Sequence, residues 1–378
     1  MEIDSRSKLK KARIVVVKVG SSVVCDRDNV STGRLRALAD QIGRLRHRGY
    51  VTVTVSSGAV AAGARKLGLR SKPTTLTLKQ ACAAAGQVSL MTAWEKALAT
   101  VDLRCAQILL TADDLSDRRR FLNARNTIVS LVEMGVVPVV NENDTVAVDE
   151  LKVGDNDTLG AMVASLIEAD VFINLTDIDG LYDSNPRQNP KAKIIGEVDK
   201  VDQGVLELAG DDGGAWGTGG MRTKVRAAGR LSDRGIASLV VNGNARDSLI
   251  KVIEGENIGT FFKPAPHRLG ARKHWLAFAA RPKGRLFIDI GAAEALVERG
   301  KSLLPGGIKT IEGLFDVGDA VTVVLDGQAD RQLGVGLVNY SAPEIKLIIG
   351  QPSSQIADIL GYSHSDEVIH RDNLVVFD

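Results

Sequence analysis

The chain has 378 residues, more than one hydrophobic core usually organises, so its length predicts two domains. Its 44% hydrophobic and 25% charged residues are typical of a soluble globular protein, and its net charge of +2 gives no general attraction to nucleic acid or acidic membranes. Three scattered cysteines without a CxxC pair argue against a disulfide framework and a zinc site, and no segment resembles a membrane span or a signal peptide. We therefore expect a cytoplasmic protein.

Strand and helix patterns alternate along the first 260 residues. Apolar runs typical of strands buried on both faces occur at 13–19, 50–55, 105–110, 171–175 and 237–241. Helical patterns occupy 31–48 and 77–99, and a further helix begins at Arg118. This alternation predicts an α/β domain with a mostly parallel sheet, whose site lies at the carboxyl ends of the strands.

Small residues follow the first two predicted strands. Lys18 precedes Gly20-Ser21-Ser22, and the second strand runs into the turn 56–63, SSGAVAAG. A strand, a small-residue turn and a helix present backbone N–H groups to an anion. Tight packing of helix on sheet, with a lysine extending to solvent at the strand end, is the alternative explanation of the same pattern.

The stretch Val136–Leu166 concentrates negative charge. Its pattern predicts a buried strand, a polar loop and an apolar helix, and the loop holds five carboxylates within fourteen residues: Asp144, Asp149, Glu150, Asp155 and Asp157. Their mutual repulsion would cost several kcal/mol in a poorly solvated site unless cations offset it. The loop is therefore expected beside basic side chains, a phosphate or a metal.

Gly210–Lys224 is the most glycine-rich stretch, with six glycines before a helix predicted at 225–231. Glycines before a helix with a lysine at its start predict a flexible loop that closes over phosphates, with Lys224 at the end of that loop. The stretch matches neither a Walker A motif nor GxGxxG, and a linker is the competing interpretation.

The composition changes near residues 259–266. The remainder predicts short strands, glycine turns and two small helices at 292–298 and 354–360. Nine basic and fourteen acidic residues from Leu276 onward give this part a net charge of −5, which leaves +7 for residues 1–275. We predict an α/β domain at 12–262, a linker at 263–275 and a mainly β domain at 276–378.

Six segments, in register along most of the chain, resemble the glutamate 5-kinase family of amino-acid kinases. They are VVKVGSS at 16–22, SSGAVAAG at 56–63, FLNARNT at 121–127, NENDTVAVDELKVGDND at 141–157, LTDIDGLY at 175–182 and GTGGMRTK at 217–224. The C-terminal part, with Gly291-Ala292-Ala293 and Gly306-Gly307-Ile308-Lys309, resembles the PUA domain that follows the kinase domain in bacterial members of that family.

The resemblance implies a three-layer α/β/α kinase domain with a mostly parallel central sheet, followed by a small mainly β PUA pseudo-barrel. It implies ATP-dependent phosphorylation of the γ-carboxylate of L-glutamate, the first step of proline biosynthesis. ATP is then the phosphoryl donor, and Mg²⁺ is held mainly by the ATP phosphates, without a metal site built by the protein.

The resemblance also assigns residues. The implied catalytic residues are Lys18, Lys224 and Asp157, with Asp157 orienting both lysines. The implied glutamate-binding residues are Ser57, Asp144, Asn156, Asn141 and Asp155. The implied nucleotide-binding residues are Lys18, Thr176, Asp177, Thr218, Gly219, Gly220, Met221 and Lys224. Asp149 and Glu150 receive no role. Proline is expected as a feedback inhibitor, and a homodimer or homotetramer is expected.

Three alternatives stay open at this point. VKxGS or TDxxG alone would equally suit kinases of aspartate, acetylglutamate, carbamate or uridylate. PUA modules often occur in RNA-binding proteins, although the charge of −5 argues against strong binding to a phosphate backbone. A kinase-fold sensor without catalysis is the third, and the set Lys18, Asp157 and Lys224 argues against it.

Overall fold

The computed structural model describes residues 3–26, 29–69, 71, 73–147, 156–186, 188–210, 220–266, 276, 280–328 and 331–377. The chain divides into two compact units, one of Met1–Leu115 with Arg119–Arg268 and the other of Ser116–Arg118 with Leu269–Asp378. The domain and linker bounds given above stay a prediction at the level of single residues.

Runs of β-branched residues form the strands of the first unit, as the sequence predicts. The described strands are β1 Ile14–Val19, β2 Cys25–Asp26, β3 Asn29–Val30, β4 Val51–Ser56, β5 Cys105–Leu110, β6 Val137–Glu142, β7 Val171–Thr176, β8 Glu197–Val198, β9 Ala237–Asn242 and β10 Thr260–Phe262. The sequence patterns had located β1, β4, β5, β7 and β9 to within one or two residues.

Eight of these strands form one sheet in the order β5-β6-β4-β1-β7-β9-β10-β8. Every neighbouring pair is parallel except β9 and β10, which confirms the predicted mostly parallel sheet. Consequently β6, β4, β1, β7 and β9 end at one shared edge. The central strand β1 lies between β4 and β7, with Lys18 opposite Val55 on one side and Asn174 on the other.

Helices cover both faces of this sheet. Those described are α1 Ser21–Val24, α2 Thr32–His47, α3 Ala59–Lys66, α4 Leu76–Ala99, α5 Ala112–Ser116, α6 Arg118–Glu133, α7 Asn156–Leu166, α8 Gln203–Leu208, α9 Met221–Asp233 and α10 Ser248–Glu254. On one face, Val15, Val17 and Val19 share a buried core with α2, α4 and α10. The opposite face lies against α7 and α9, so Lys18, which alternates with those valines, points toward these two helices.

The second unit is a small β structure with short helices. Its described strands are β11 Gly284–Ile288, β12 Ile308–Gly313, β13 Ala320–Leu325, β14 Gln332–Leu337 and β15 Leu374–Val376, and they form one sheet in the order β12-β11-β13-β14-β15. The helices are α11 Ile290–Val297, α12 Ala342–Ile348 and α13 Ile356–Leu360. A separate hydrophobic core around Leu286, Val323 and Tyr340 holds the unit together.

Two helices of this unit were predicted from the sequence, and α12 was not. Its start carries a capping box, in which Ser341 and Glu344 satisfy each other's backbone N–H groups, and Pro343 occupies an early helical position. The letters SAPE were therefore a usable helix-start signal.

Two glycines allow α3 and α4 to cross at backbone contact. A Cβ added to Gly63 would lie 1.7 Å from the carbonyl oxygen of Cys82, and one added to Gly86 would lie 1.9 Å from that of Ala59. This crossing places the start of α3, which follows the turn Ser57-Gly58, directly against α4. In that turn Gly58 adopts a φ of 113°, a conformation that glycine reaches without strain.

We expect Gly86→Ala to force α3 and α4 apart and to lower the free energy of unfolding by about 1–3 kcal/mol. Scanning calorimetry should then show a fall in Tm of about 2–4 °C per kcal/mol. Gly33→Ala in α2 is the matched control, because a Cβ there meets no atom within 4 Å and alanine favours a helix. Equal Tm values for the two variants would contradict the close crossing.

Candidate active site

The shared strand edge gathers polar side chains from five neighbouring strands. Asn141 lies near the end of β6, Ser57 follows β4, Lys18 is near the end of β1, Thr176 ends β7 and Asn242 ends β9. Residues at the carboxyl ends of adjacent parallel strands lie side by side, so one edge presents all five. Four of the predicted site residues therefore lie at the predicted edge, namely Lys18, Ser57, Asn141 and Thr176.

A buried cluster of three charges occupies the centre of this edge. The Nζ of Lys18 lies 2.6 Å from Oδ1 of Asp157, and the Nζ of Lys224 lies 3.0 Å from Oδ2 of the same carboxylate. Asp157 is fully buried, and the two lysines are only 5% and 7% exposed. These three groups together carry a charge of +1 beside the strand ends.

Neutral side chains also bond to Asp157. Asn174 of β7 donates to Oδ1 at 2.8 Å, and the hydroxyl of Thr223 donates to Oδ2 at 2.8 Å. Burial by itself would raise the pKa of Asp157, but the charges of Lys18 and Lys224 and the hydrogen bonds from Lys18 and Asn174 outweigh it and hold the pKa well below its usual range. The carboxylate is thus ionised at neutral pH. Its place in the first turn of α7 adds the favourable helix dipole.

Gly160, one turn after Asp157, lets α7 approach the sheet. A Cβ at this position would lie 2.8 Å from the ring of Phe172 and 3.4 Å from the Cβ of Lys18. The missing side chain brings the start of α7 close enough for the short contact between Asp157 and Lys18.

A group of amide and hydroxyl side chains lies beside the charged cluster. The side-chain Nδ2 of Asn156 donates to the hydroxyl of Ser57 at 2.9 Å and to Oδ1 of Asn141 at 3.0 Å. Asn141, which is 3% exposed, donates in turn to Oε1 of Gln87 at 2.9 Å. Asn156 and Asp157 are consecutive, so one helix start serves both the neutral and the charged part of the edge.

The remaining predicted site residues lie after β6 or β7, at the start of α9, or outside the described residues. Asp144 is half-buried in the turn after β6, and Thr176 is buried and bonds to the exposed Asp177 through its hydroxyl at 3.2 Å. Gly220 precedes α9 and Met221 begins it; the carbonyl of Gly220 accepts from Lys224 Nζ at 3.3 Å. Asp155, Thr218 and Gly219 lie outside the described residues, as do the unassigned Asp149 and Glu150.

Two sequence-based placements were wrong. Lys224 was placed at the end of a loop before a helix at 225–231, but α9 begins at Met221 and holds Lys224, buried, in its first turn. Asp157 was placed on the polar loop but belongs to the first turn of α7. In both cases the helix begins earlier in the sequence than the apolar pattern indicated. Lys224 and Asp157 are buried against each other in these first turns.

Asn174, Thr223 and Gln87 were not recognised as site residues. Asn174 carried a sequence signal, because it is a polar residue within the apolar run VFINL. In the structure it is the register neighbour of Lys18. Gln87 and Thr223 are ordinary polar positions on helices and carried no local signal.

The chemistry of the edge suits an anionic ligand. In the described part of the chain, no three His, Cys, Asp or Glu side chains lie close enough together to bind a metal ion. Two lysines with fixed positions and a net positive charge can instead neutralise the oxygens of a phosphoryl group. Within the same residues, no helix combines the length and apolar character needed to cross a membrane.

The chain is similar to known proteins along nearly its whole length. The chain matches the model of the amino acid kinase family over residues 13–242 and that of the PUA domain over residues 284–360. It is 48% identical over 368 residues to the glutamate 5-kinase of Syntrophotalea carbinolica, which covers 97% of this chain and 98% of that protein. It is 49% identical over 381 residues to the glutamate 5-kinase of Anaeromyxobacter dehalogenans, covering 99% of each.

Among solved structures, a carbamate kinase from Giardia lamblia bound to AMP-PNP matches 67% of this chain and 99% of its own, with a TM-score of 0.50 and 18% identity. At that identity the match concerns the fold alone. The family match covers most of the first unit and includes the strands that build the edge. The chain belongs to the amino acid kinase family and carries a C-terminal PUA domain.

Proposed function

We propose that this protein transfers the γ-phosphoryl group of ATP to the γ-carboxylate of L-glutamate and forms L-glutamyl 5-phosphate, the first step of proline biosynthesis. The structural observation that carries the proposal is the pair of buried lysines on Asp157 at the strand edge. The choice of glutamate is supported by the 48% identity to a glutamate 5-kinase along nearly the full chain.

In this proposal Lys18 and Lys224 act on the transferred group. An oxygen of the substrate carboxylate attacks the γ-phosphorus, the bond from phosphorus to the bridging oxygen breaks, and ADP leaves. The two ammonium groups stabilise the charge on the phosphoryl oxygens during transfer. Asp157 orients both lysines. The attacking carboxylate is already ionised at neutral pH, so the reaction requires no general base.

The neutral part of the edge is proposed to bind the amino acid. Ser57, Asn141 and Asn156 form a hydrogen-bonded group beside the lysines, and half-buried Asp144 supplies an anionic partner for the substrate ammonium. Asp155 is proposed for the same side from the family pattern alone.

The nucleotide is proposed to lie across β7 and the start of α9. Thr176, Asp177, Gly220 and Met221 are the described residues that we assign to it, and Thr218 and Gly219 are assigned from the family pattern. Mg²⁺ enters as part of the Mg–ATP substrate and is held mainly by its phosphates.

We further propose cytoplasmic location, feedback inhibition by proline and assembly into a homodimer or homotetramer. The three scattered cysteines, without a CxxC pair, support a reducing compartment. The proposals on proline and on assembly rest on the family resemblance.

A coupled assay of ADP release tests the reaction. With ATP and Mg²⁺, we expect robust turnover of L-glutamate and little turnover of aspartate or carbamate, and we expect added proline to reduce the rate with glutamate. Turnover of aspartate or carbamate in place of glutamate would assign a different amino-acid kinase activity.

Lys224→Ala should lower turnover about 10²–10³-fold, the usual cost of removing one group that stabilises a transition state. The fold should persist, since Asp157 keeps Lys18, Asn174 and Thr223 as partners. Arg226→Ala is the matched control, because Arg226 is an exposed cation on the same helix, and its turnover should stay within about twofold of wild type. Wild-type turnover by Lys224→Ala would refute the assignment of this lysine.

Asp157→Asn should lower Tm at neutral pH, because it removes the carboxylate that offsets the charges of the buried Lys18 and Lys224. The pKa of Asp157 is depressed in the fold, whereas an unfolded Asp titrates at about 3.9. Its stabilisation is therefore complete above that unfolded pKa and is lost as pH falls through the lower folded pKa. The Tm difference between wild type and variant should shrink below about pH 4.

Asp4→Asn, which removes an exposed ion pair with Lys8, serves as the control and should leave Tm nearly unchanged at every pH. A constant Tm difference between wild type and Asp157→Asn down to pH 2 would show that Asp157 is not held ionised by the lysines.

A further inference from the structure

Four amide side chains form a continuous hydrogen-bonded line from the outer strand β5 to the candidate glutamate site. We call Gln107, Gln87, Asn141 and Asn156 the amide chain. Gln107 is exposed on β5, Gln87 is 9% exposed on α4, Asn141 is 3% exposed on β6 and Asn156 begins α7.

Every link of the amide chain runs in the same direction. Nε2 of Gln87 donates to Oε1 of Gln107 at 3.4 Å, Nδ2 of Asn141 donates to Oε1 of Gln87 at 2.9 Å, and Nδ2 of Asn156 donates to Oδ1 of Asn141 at 3.0 Å. Each inner NH₂ group therefore faces the oxygen of the next residue outward.

This direction leaves one acceptor at the inner end. The NH₂ group of Asn156 already donates to Asn141 and to the hydroxyl of Ser57. Its Oδ1 is buried and has no hydrogen-bond partner among the described residues. A buried amide oxygen without a partner is costly, so the site is built for a ligand that brings a donor.

The side-chain amide of Asn156 cannot rotate by 180° unless its neighbours in the amide chain also rotate. If its amide rotated by 180°, its oxygen would oppose Oδ1 of Asn141, and relief would require Asn141 and then Gln87 to rotate as well. Gln87 is buried on α4 between its hydrogen bonds to Asn141 and Gln107, and it follows Gly86, where α3 and α4 are in backbone contact.

We propose that Gln87 is a positioning residue that holds Asn141, and through it Asn156, with the Asn156 oxygen directed at the ammonium group of the amino-acid substrate. The proposal rests on the function proposed above and adds a residue remote from the reacting atoms. Gln87 then determines selection for an amino acid over a dicarboxylate of the same length.

Isothermal titration calorimetry with glutamate and with glutarate, which lacks only the ammonium group, tests the proposal without requiring turnover. In the full-length Gln87→Met variant, which is similar in size but cannot hydrogen-bond to Asn141, the Kd for glutamate should rise about tenfold. The Kd for glutarate should change less than twofold. Gln87→Glu keeps an acceptor for Asn141 and should restore glutamate binding to within about threefold of wild type.

Thr92→Ala is the control on α4, because the exposed Thr92 hydroxyl bonds only within its own helix, to the carbonyl of Val88. Its two Kd values should match those of wild type. If Gln87→Met does not fold, Gln87→Asn, which withdraws the amide by one methylene, is judged by the same two constants.

An equal rise of both Kd values, or no rise for glutamate, would overturn the proposal, and so would a wild-type protein that binds glutarate as tightly as glutamate. If the wild-type protein binds glutamate more tightly than glutarate but does not phosphorylate glutamate, only the proposed function is overturned.

Discussion

A fully buried carboxylate between two buried ammonium groups is the interaction on which the rest of the kinase unit depends. The two lysines hold Asp157 ionised in that position, and Asp157 offsets the charge of both buried lysines. The three charges belong to β1, α7 and α9, which are far apart in sequence. Correct folding of those three elements is therefore the condition for the electrostatics of the site, and the glycine at position 160 lets them come this close.

The start of α7 connects the two halves of the edge. Asp157 joins the charged cluster, and the residue before it joins the hydrogen-bonded group of Ser57 and Asn141. A movement of this helix start would change both the position of the lysines and the hydrogen bonds offered to a substrate. Coupling of this kind favours a preorganised site, in which charges and dipoles are already oriented before the reacting groups arrive.

Much of the edge was predictable because parallel strands obey simple rules. Buried strands appear as continuous apolar runs, and their carboxyl ends meet, so Lys18, Ser57 and Thr176 could be placed at one edge from their positions alone. Helix starts were less predictable. Lys224 and Asp157 interrupt the apolar pattern, so each looked like a loop residue, although mutual neutralisation makes both acceptable in a buried first turn. Asn174 was overlooked for a related reason, since its partner carboxylate comes from another element.

The sequence by itself determined the alternation of strands and helices, the parallel sheet, the separate C-terminal module and the family to which the motifs belong. The first three follow from local periodicity and composition, which one chain segment carries without knowledge of the others, and the family follows from the resemblance of the six motifs. Only the tertiary structure decided which carboxylate takes the lysines, and in which direction the amides of Gln87, Asn141 and Asn156 point. Charge pairing and amide direction depend on distances of about 3 Å between residues that lie from 15 to 139 positions apart, and no local pattern encodes such distances.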